Sequence, residues 1–281
     1  MYEKIFFIGT GHVACECIKT LRNSVEMFTC LNVEHEDFPI VQNTCIRLNV
    51  EYRQFKKSSL KDFLSSQESE TLIISAHNGY IFPHAVTDKK NITIINFHNA
   101  YLPHYRGRNA PTWEIYNDEK FGGATWHFVD SRIDTGKIIV QEKIPISRDE
   151  TGLSLLRKSS EVGISLFKKN IYNFLGKIKG GGIQKITDTS RQSKLYLSHE
   201  LPNGGYLDLS WDFEQAYRFL RAMDYRGMNV MPCPRIKLDS EIYFIEGYKV
   251  ENSCLATEQK EFCIFSEKCG KFLRCQLDKC E

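Results

Sequence analysis

Two apolar runs constrain this chain more than any other feature, Thr71-Leu72-Ile73-Ile74-Ser75 and Ile92-Thr93-Ile94-Ile95-Asn96-Phe97. Both are continuous rather than alternating, and both are rich in β-branched residues. A strand that is apolar on both faces must be covered on both. That is the situation of a parallel sheet with helices packed above and below it. A third buried strand is predicted over residues 4–8, followed by the turn Gly9-Thr10-Gly11 and a helix over 11–22. Residues 25–31 alternate like a strand, and Leu60, Phe63 and Leu64 share one helical face. Strands interleaved with helices predict an α/β fold with a doubly wound, mostly parallel, Rossmann-like sheet.

Beyond Pro103 the pattern predicts a Gly/Arg/Asn loop and a short helix over 111–117 with proline in its first turn. Two strands follow, at 122–129 and 136–146, around a turn at Asp130–Thr135. A long helix is expected over 151–175, capped by Thr151, with Leu155, Val162, Leu166 and Phe174 on its apolar face. Gly180-Gly181-Gly182 and the polar stretch Thr187–Lys194 read as a connector. Past it, Trp211–Met223 carries Ala216, Tyr217, Leu220 and Met223 on one helical stripe, and Ile242–Ile245 and Phe262–Phe265 read as short strands. The expected organisation is therefore a catalytic domain over 1–185 and a small α+β module over 186–281, the latter a dimerisation or substrate module.

Lys and Arg number 37 against 35 Asp and Glu, a net charge of +2. That balance offers no argument for a nucleic-acid or membrane partner. No stretch approaches the ~20 apolar residues of a membrane span. The N-terminus lacks a basic region and a small-residue cleavage site, so no signal peptide is expected and the cytoplasm is the expected address. Of the ten cysteines, Cys15, Cys17, Cys30, Cys45 and Cys233 are early or central, and Cys254, Cys263, Cys269, Cys275 and Cys280 lie late in the chain. Only Cys275 and Cys280 among the late five approach metal-ligand spacing, and no histidine pair accompanies them, so packing thiols and no metal are expected.

Asn96-Phe97-His98 stands where the second buried run leaves its strand. Ligands of open α/β sheets bind beyond the carboxyl ends of strands. Alternation along the strand puts Asn96 and His98 on one side and Phe97 on the other. An amide donor and an imidazole then converge, which suits acyl transfer: one group for a developing oxyanion and one for a proton. Asp134, in the turn Ile133-Asp134-Thr135-Gly136, is the expected third member, a carboxylate that would orient the imidazole and favour its protonated form.

The segments NFHNAYLPHYRGRNAPTWEIYN and GGATWHFVDSRIDTGKIIVQ together resemble the core of the folate-dependent formyltransferases, which act on methionyl-tRNA, glycinamide ribonucleotide and amino sugars. The matching elements are Asn96, His98, Leu102-Pro103, Arg106-Gly107 and Asp134, with 38 positions from Asn96 to Asp134. The likeness is good over roughly 70–175 and looser before that. It implies that Asn96, His98 and Asp134 are catalytic, with N10-formyltetrahydrofolate as co-substrate. The choice of base stays open between His98, Asp134 and a water held by Asp134. The resemblance also implies a folate pocket from Asn78, Gly79, Tyr80, Ile81, Phe82 and Pro83 on one side and Val129, Asp130 and Ile133 on the other.

Gly9-Thr10-Gly11-His12-Val13-Ala14 matches the dinucleotide fingerprint, with Glu34 and Glu36 as loose candidates for its acidic residue. A first βα turn favours glycines in any doubly wound fold. The reading adopted is a structural turn whose amides hold a substrate phosphate, with Gly11 and His12 as contacts. Arg106, Arg108 and Asn109 follow the catalytic strand and are expected to bind substrate, arginine being suited to bidentate phosphate contacts. The phrase Arg-Gly-Arg-Asn-Ala-Pro-Thr-Trp most resembles the enzymes of nucleotide-linked 3-amino-3,6-dideoxy sugars. Residues 208–212 and Arg221-Ala222 resemble the second domain of methionyl-tRNA enzymes and of some sugar enzymes. The tail, however, sets Lys260, Lys268, Lys271, Arg274 and Lys279 against Glu258, Glu261, Glu267, Asp278 and Glu281, not the basic face a tRNA requires. The expected activity is N-formylation of a nucleotide-linked amino sugar, with a dTDP-sugar favoured, by a homodimer serving surface glycan synthesis. The alternatives are a methionyl-tRNA or other amine formyltransferase and an NAD-binding or non-catalytic Rossmann module.

Overall fold

The computed structural model describes residues 2–34, 39–176, 194–226, 228–252, 261–266 and 270–279. Glu36, the glycine triplet 180–182, residues 187–193 and the 185/186 boundary lie outside the described residues. So do Cys254, Cys269, Cys280 and the tail charges Glu258, Lys260, Glu267, Lys268 and Glu281.

The strands are β1 (Lys4–Gly9), β2 (Thr29–Val33), β3 (Glu51–Phe55), β4 (Thr71–Ala76), β5 (Ile92–His98), the two-residue β6 (Arg106–Gly107), β7 (Phe121–Phe128), β8 (Ile138–Pro145), β9 (Leu195–Tyr196), β10 (Tyr206–Leu207), β11 (Arg235–Leu238), β12 (Glu241–Glu251), β13 (Glu261–Ser266) and β14 (Lys271–Lys279). The helices are α1 (Gly11–Ser24), α2 (Pro39–Leu48), α3 (Lys57–Ser65), α4 (His84–Thr87), α5 (Ala110–Tyr116), α6 (Gly152–Leu175) and α7 (Phe213–Met223), with a 3-10 turn at Pro202–Gly205. They divide into two compact units. The first takes residues 1–107, 123–144 and 158–195, and the second takes 108–122, 145–157 and 196–281.

The first unit carries a seven-stranded sheet in the order β3-β2-β1-β4-β5-β7-β8. Strands β3, β2, β1, β4 and β5 pair in parallel, and β7 joins β5 antiparallel. All six residues of β4 are buried, as its uninterrupted apolar run requires. On one face, Phe6, Ile8, Leu31, Val33, Ile73 and Ile94 of the sheet pack with Leu60 and Leu64 of α3 and Val86 of α4. Aromatic side chains meet elsewhere in the unit, where the Trp126 ring lies 5.5 Å from Phe97, 5.0 Å from Phe167 and 5.6 Å from Phe174. Helix α1 opens directly from the first glycine turn and buries Val13, Ala14, Cys17, Ile18 and Leu21.

Most predicted elements form, with small shifts. The strand expected at 25–31 runs instead over β2, Thr29–Val33. Thr151 does cap α6: Ser154 N donates to its Oγ1 at 3.1 Å, and Thr151 N donates to Ser154 Oγ at 2.9 Å, a reciprocal box. Helix α2 and strand β3 went unread because β3 is mostly exposed and lacks an apolar run.

The second unit holds a five-stranded sheet in the order β10-β11-β12-β14-β13. Its core joins Phe213, Ala216, Phe219, Leu220 and Met223 of α7 to Leu207, Ile236, Ile245, Leu273, Cys275 and Leu277 of the sheet. Asp212 caps α7 by accepting from Gln215 N at 2.8 Å.

Gly163, on α6, is a close-approach position. A Cβ there would run into the Phe97 ring, and the Gly163 carbonyl accepts from Trp126 Nε1 at 2.9 Å. Gly163→Ala is expected to cost about 1–3 kcal/mol, the usual penalty for overpacking a core. Chemical denaturation of wild type and variant measures it; an unchanged midpoint would mean that Phe97 is not packed against this helix.

Candidate active site

The site begins with the register of three strands. Parallel pairing sets Ser75 opposite Asn96, and antiparallel pairing sets Asn96 opposite His127 and His98 opposite Thr125. Ser75 Oγ donates to Asn96 Oδ1 at 2.8 Å, and Asn78 Nδ2 donates to Ser75 Oγ at 3.4 Å. With its oxygen held by a hydroxyl, the Asn96 amide has its nitrogen facing the other way, 3.3 Å from His127 Nε2.

Asp134 joins the two histidines. Its Oδ2 lies 3.6 Å from His98 Nδ1, and its Oδ1 lies 3.5 Å from His127 Nε2. Gly107 N donates to Oδ2 at 2.8 Å. The side chains of His98 and Asp134 are 9% and 11% exposed. Burial alone pushes the Asp134 carboxyl upward. The charge of His98, the hydrogen bond and charge of His127 and the Gly107 amide outweigh it and hold the group well below the usual carboxylate range.

Backbone turns deliver these groups. Asp134 has φ 52°, in the left-handed region that Asp tolerates. Gly136 follows because a Cβ there would meet the Phe128 carbonyl. Asp130 braces the same turn, its Oδ1 accepting from Arg132 N at 3.0 Å and Thr135 Oγ1 at 2.5 Å. On the other side, Leu102 N donates to Thr125 Oγ1 at 3.2 Å and Thr125 Oγ1 donates to the Ala100 carbonyl at 2.6 Å. This folds the loop after β5 back, so that His98 Nε2 donates to the Tyr105 carbonyl at 2.8 Å. A carbonyl on one nitrogen and a carboxylate beside the other give a protonated ring an acceptor at each N–H.

Asn96, His98 and Asp134 are thus gathered into one cluster, at the carboxyl end of β5. Ser75 and His127 belong to it and were missed by sequence reasoning. Their signals were a lone serine ending a buried run and a histidine in a strand that pairs with β5.

The folate candidates are divided. Asn78 closes its own turn, accepting from Tyr80 N at 2.9 Å. The Tyr80 side chain is buried in the core with Ile73 and Ile94, and Phe82 and Val129 pack against that core. Ile81 is 64% exposed and Ile133 37% exposed, whereas Gly79 and Pro83 are half-buried. Among the substrate candidates, Gly11 takes φ 68° and His12 Nε2 meets Glu161 Oε1 at 3.1 Å on the surface. Arg106 Nη1 reaches the Ile133 carbonyl at 3.5 Å. In the second unit, Arg108 is exposed, its backbone N–H donating to the Tyr196 carbonyl at 2.9 Å, and Asn109 precedes α5 with φ 58°.

Comparison with known proteins places the chain in a class. The pattern of the family described as Formyl transferase matches residues 10–171. The chain belongs to the formyl transferase family. It is 29% identical over 186 residues to GDP-perosamine N-formyltransferase of Brucella melitensis, covering 66% of this chain and 67% of that one. It is 31% identical over 201 residues to the methionyl-tRNA formyltransferase of Acetivibrio thermocellus, covering 68% of this chain and 63% of that one. Its fold matches, with TM-score 0.75 and 18% identity over 98% of this chain and 99% of the other, an N-formyltransferase from Helicobacter canadensis crystallised with folinic acid and dTDP-3-aminofucose. No described helix is long and apolar enough to cross a membrane.

The Asp134 carboxyl leads to a pH prediction. Its folded pKa lies below the unfolded value of about 3.9. The stability it contributes is therefore complete above that value and is lost as pH falls through the acid range. The difference in unfolding free energy between wild type and Asp134→Asn should be largest near pH 6 and shrink steadily below about pH 4. A difference that stays constant down to pH 3 would contradict the depressed carboxyl.

Proposed function

We propose that this protein transfers a formyl group from N10-formyltetrahydrofolate to the amine of a nucleotide-linked amino sugar, in the cytoplasm, for the synthesis of surface glycans. The observation that carries this reading is the cluster of an amide, an imidazole and a carboxylate at the end of β5: Asn96, His98 and Asp134. The folate supplies an activated formyl group and receives a proton on the nitrogen it releases.

In this reading Asn96 Nδ2, steered by Ser75, donates to the formyl oxygen as the amine nitrogen bonds to the formyl carbon. His98 supplies positive charge beside that oxygen. Asp134, a carboxylate at working pH, orients the ring. As the bond to the folate nitrogen breaks, His98 gives that nitrogen its proton and is reprotonated by the amine. His98 is assigned this carriage because its ring stands beside Asn96 at the end of β5, whereas the Asp134 carboxyl, held well below the usual carboxylate range, is a weak base. Asn78–Pro83 and Val129–Ile133 are the candidate folate segments, with exposed Ile81 and Ile133 as its apolar contacts. Gly11, His12, Arg106, Arg108 and Asn109 are the candidate contacts to the nucleotide.

A sugar acceptor is favoured by the likeness to the perosamine enzyme and by the near-zero net charge of +2. The tRNA alternative keeps support from the likeness to the Acetivibrio enzyme and predicts binding that weakens steeply with salt. Two nucleotide carriers are represented among its likenesses: one relative is named for a GDP-sugar, and one structural neighbour was crystallised with a dTDP-sugar.

The test is formyl transfer to a panel of dTDP-, GDP- and UDP-linked amino sugars and to methionyl-tRNA. Turnover is expected with one class of nucleotide sugar and none with tRNA. Asn96→Ala should lower kcat by about 10²–10³-fold, and His98→Ala by about 10²–10⁴-fold, with folding preserved. Full activity in either variant, or turnover with tRNA alone, would overturn the assignment.

A further inference from the structure

The second unit contains a polar cavity of about 210 Å³ that plays no part in the chemistry above. Its walls come from the turn after α5, from the segment after β8 and from one face of α7. The α7 residues are Glu214, Arg218 and Arg221, whose spacings of four and three residues align them along the helix. The other charged wall residues are Asp118, Glu119, Lys120 and Arg148.

Glu214 and Asp118 have cationic partners on the wall itself. Glu214 Oε1 holds Arg148 Nη2 at 2.6 Å, and Asp118 Oδ2 is approached by Lys120 Nζ at 3.6 Å and Arg218 Nη1 at 3.7 Å. Arg221 is different. It is 7% exposed, its Nη1 donates to the Glu150 carbonyl at 2.7 Å and its guanidinium lies 5.1 Å from the Tyr217 ring centre. Those contacts are to a carbonyl and a ring, while the carboxylate of Asp149, which accepts from the Tyr217 hydroxyl at 3.0 Å, acts on Arg221 through its charge. The Nε atoms of Arg218 and Arg221 are buried, and neither has a hydrogen-bond partner among the described residues. A buried N–H without an acceptor is costly, so two such Nε atoms, on residues that line one cavity, point to a place fitted for an acceptor. The lining sets four cations against three acids, a balance that favours an anionic acceptor.

The shape narrows the choice. A carboxylate offers two oxygens in one plane, whereas a phosphate offers oxygens on every side and can meet two separate guanidinium edges. At about 210 Å³ the cavity is below the 300–1,000 Å³ typical of sites for drug-sized ligands. We infer that this cavity binds a phosphate-class dianion through Arg218 and Arg221. Burial pushes the Arg221 guanidinium below its usual pKa, and Arg218 adds to the shift against the opposing pull of Tyr217, Tyr248 and Asp149. A bound dianion would relieve both effects.

The test uses the whole chain and inorganic phosphate, by calorimetric titration and by thermal unfolding at constant ionic strength. Acetate serves as the carboxylate control. Phosphate should bind saturably and raise Tm, and acetate should not; general salting-out would raise Tm without saturation. Arg218→Met should weaken phosphate binding about tenfold or more, the loss expected for one hydrogen bond to a charged group. Arg221 also ties down the Glu150 carbonyl and its removal risks the fold, so Glu214→Gln is the second variant. It frees Arg148 and should tighten binding, an effect that a purely structural role would not produce. No saturable phosphate binding, or equal affinity in wild type, Arg218→Met and Glu214→Gln, would overturn the inference. None of these substitutions touches Gly11, Arg106 or the catalytic cluster, so phosphate bound there would show equal affinity in all three proteins.

Discussion

The carboxylate of Asp134 is 11% exposed, with His98 at 3.6 Å on one oxygen and His127 at 3.5 Å on the other. The Gly107 amide adds a hydrogen bond at 2.8 Å. A carboxylate this buried is expensive to hold unless all its neighbours are in place. Those neighbours come from β5, from β7 and from the loop after β5, while the carboxylate itself comes from the turn after β7. The charge therefore acts as a staple: the four pieces of chain are held in register because none of them can leave without exposing an uncompensated ion. The same staple sets the chemistry, because it orients an imidazole beside an amide.

The sheet explains why such a staple can be precise. Buried on every residue, β4 gives β5 a rigid parallel neighbour, and Ser75 falls opposite Asn96 because of that pairing. The antiparallel strand β7 then brings His127 to Asn96 from the other edge of β5. Beneath them, Phe97 points the opposite way, into the cluster of Trp126, Phe167 and the α6 helix at Gly163. Alternation along one strand thus divides its side chains: Asn96 and His98 face the cluster around Asp134, and Phe97 packs against Trp126.

Much of this was legible in the residues. The continuous runs at 71–75 and 92–97 read as buried strands, because they are short, rich in β-branched residues and apolar on both faces. Period-two alternation put Asn96 and His98 on one side of the strand, and the family resemblance gave that pair its catalytic reading. Asp134 did not follow from periodicity; a turn aspartate is common, and it stood out through the family resemblance. His127 and Ser75 escaped because their roles depend on strand pairing, which local pattern does not encode. Tyr80 shows the converse limit. A loop aromatic reads equally as pocket wall or core, and in the fold its ring is in the core while its neighbour Ile81 is exposed. Strand β3 was invisible for a similar reason: an edge strand need not be apolar.

The most direct test is a crystal structure of the protein with 5-formyltetrahydrofolate, a stable analogue of the formyl donor, and a nucleotide-linked amino sugar. The account predicts the formyl group at the carboxyl end of β5, its oxygen within about 2.7–3.2 Å of Asn96 Nδ2 and beside the His98 ring. It also predicts the sugar amine on the opposite side of the formyl carbon from the folate nitrogen. A folate bound elsewhere, or a formyl oxygen facing neither Asn96 nor His98, would contradict it.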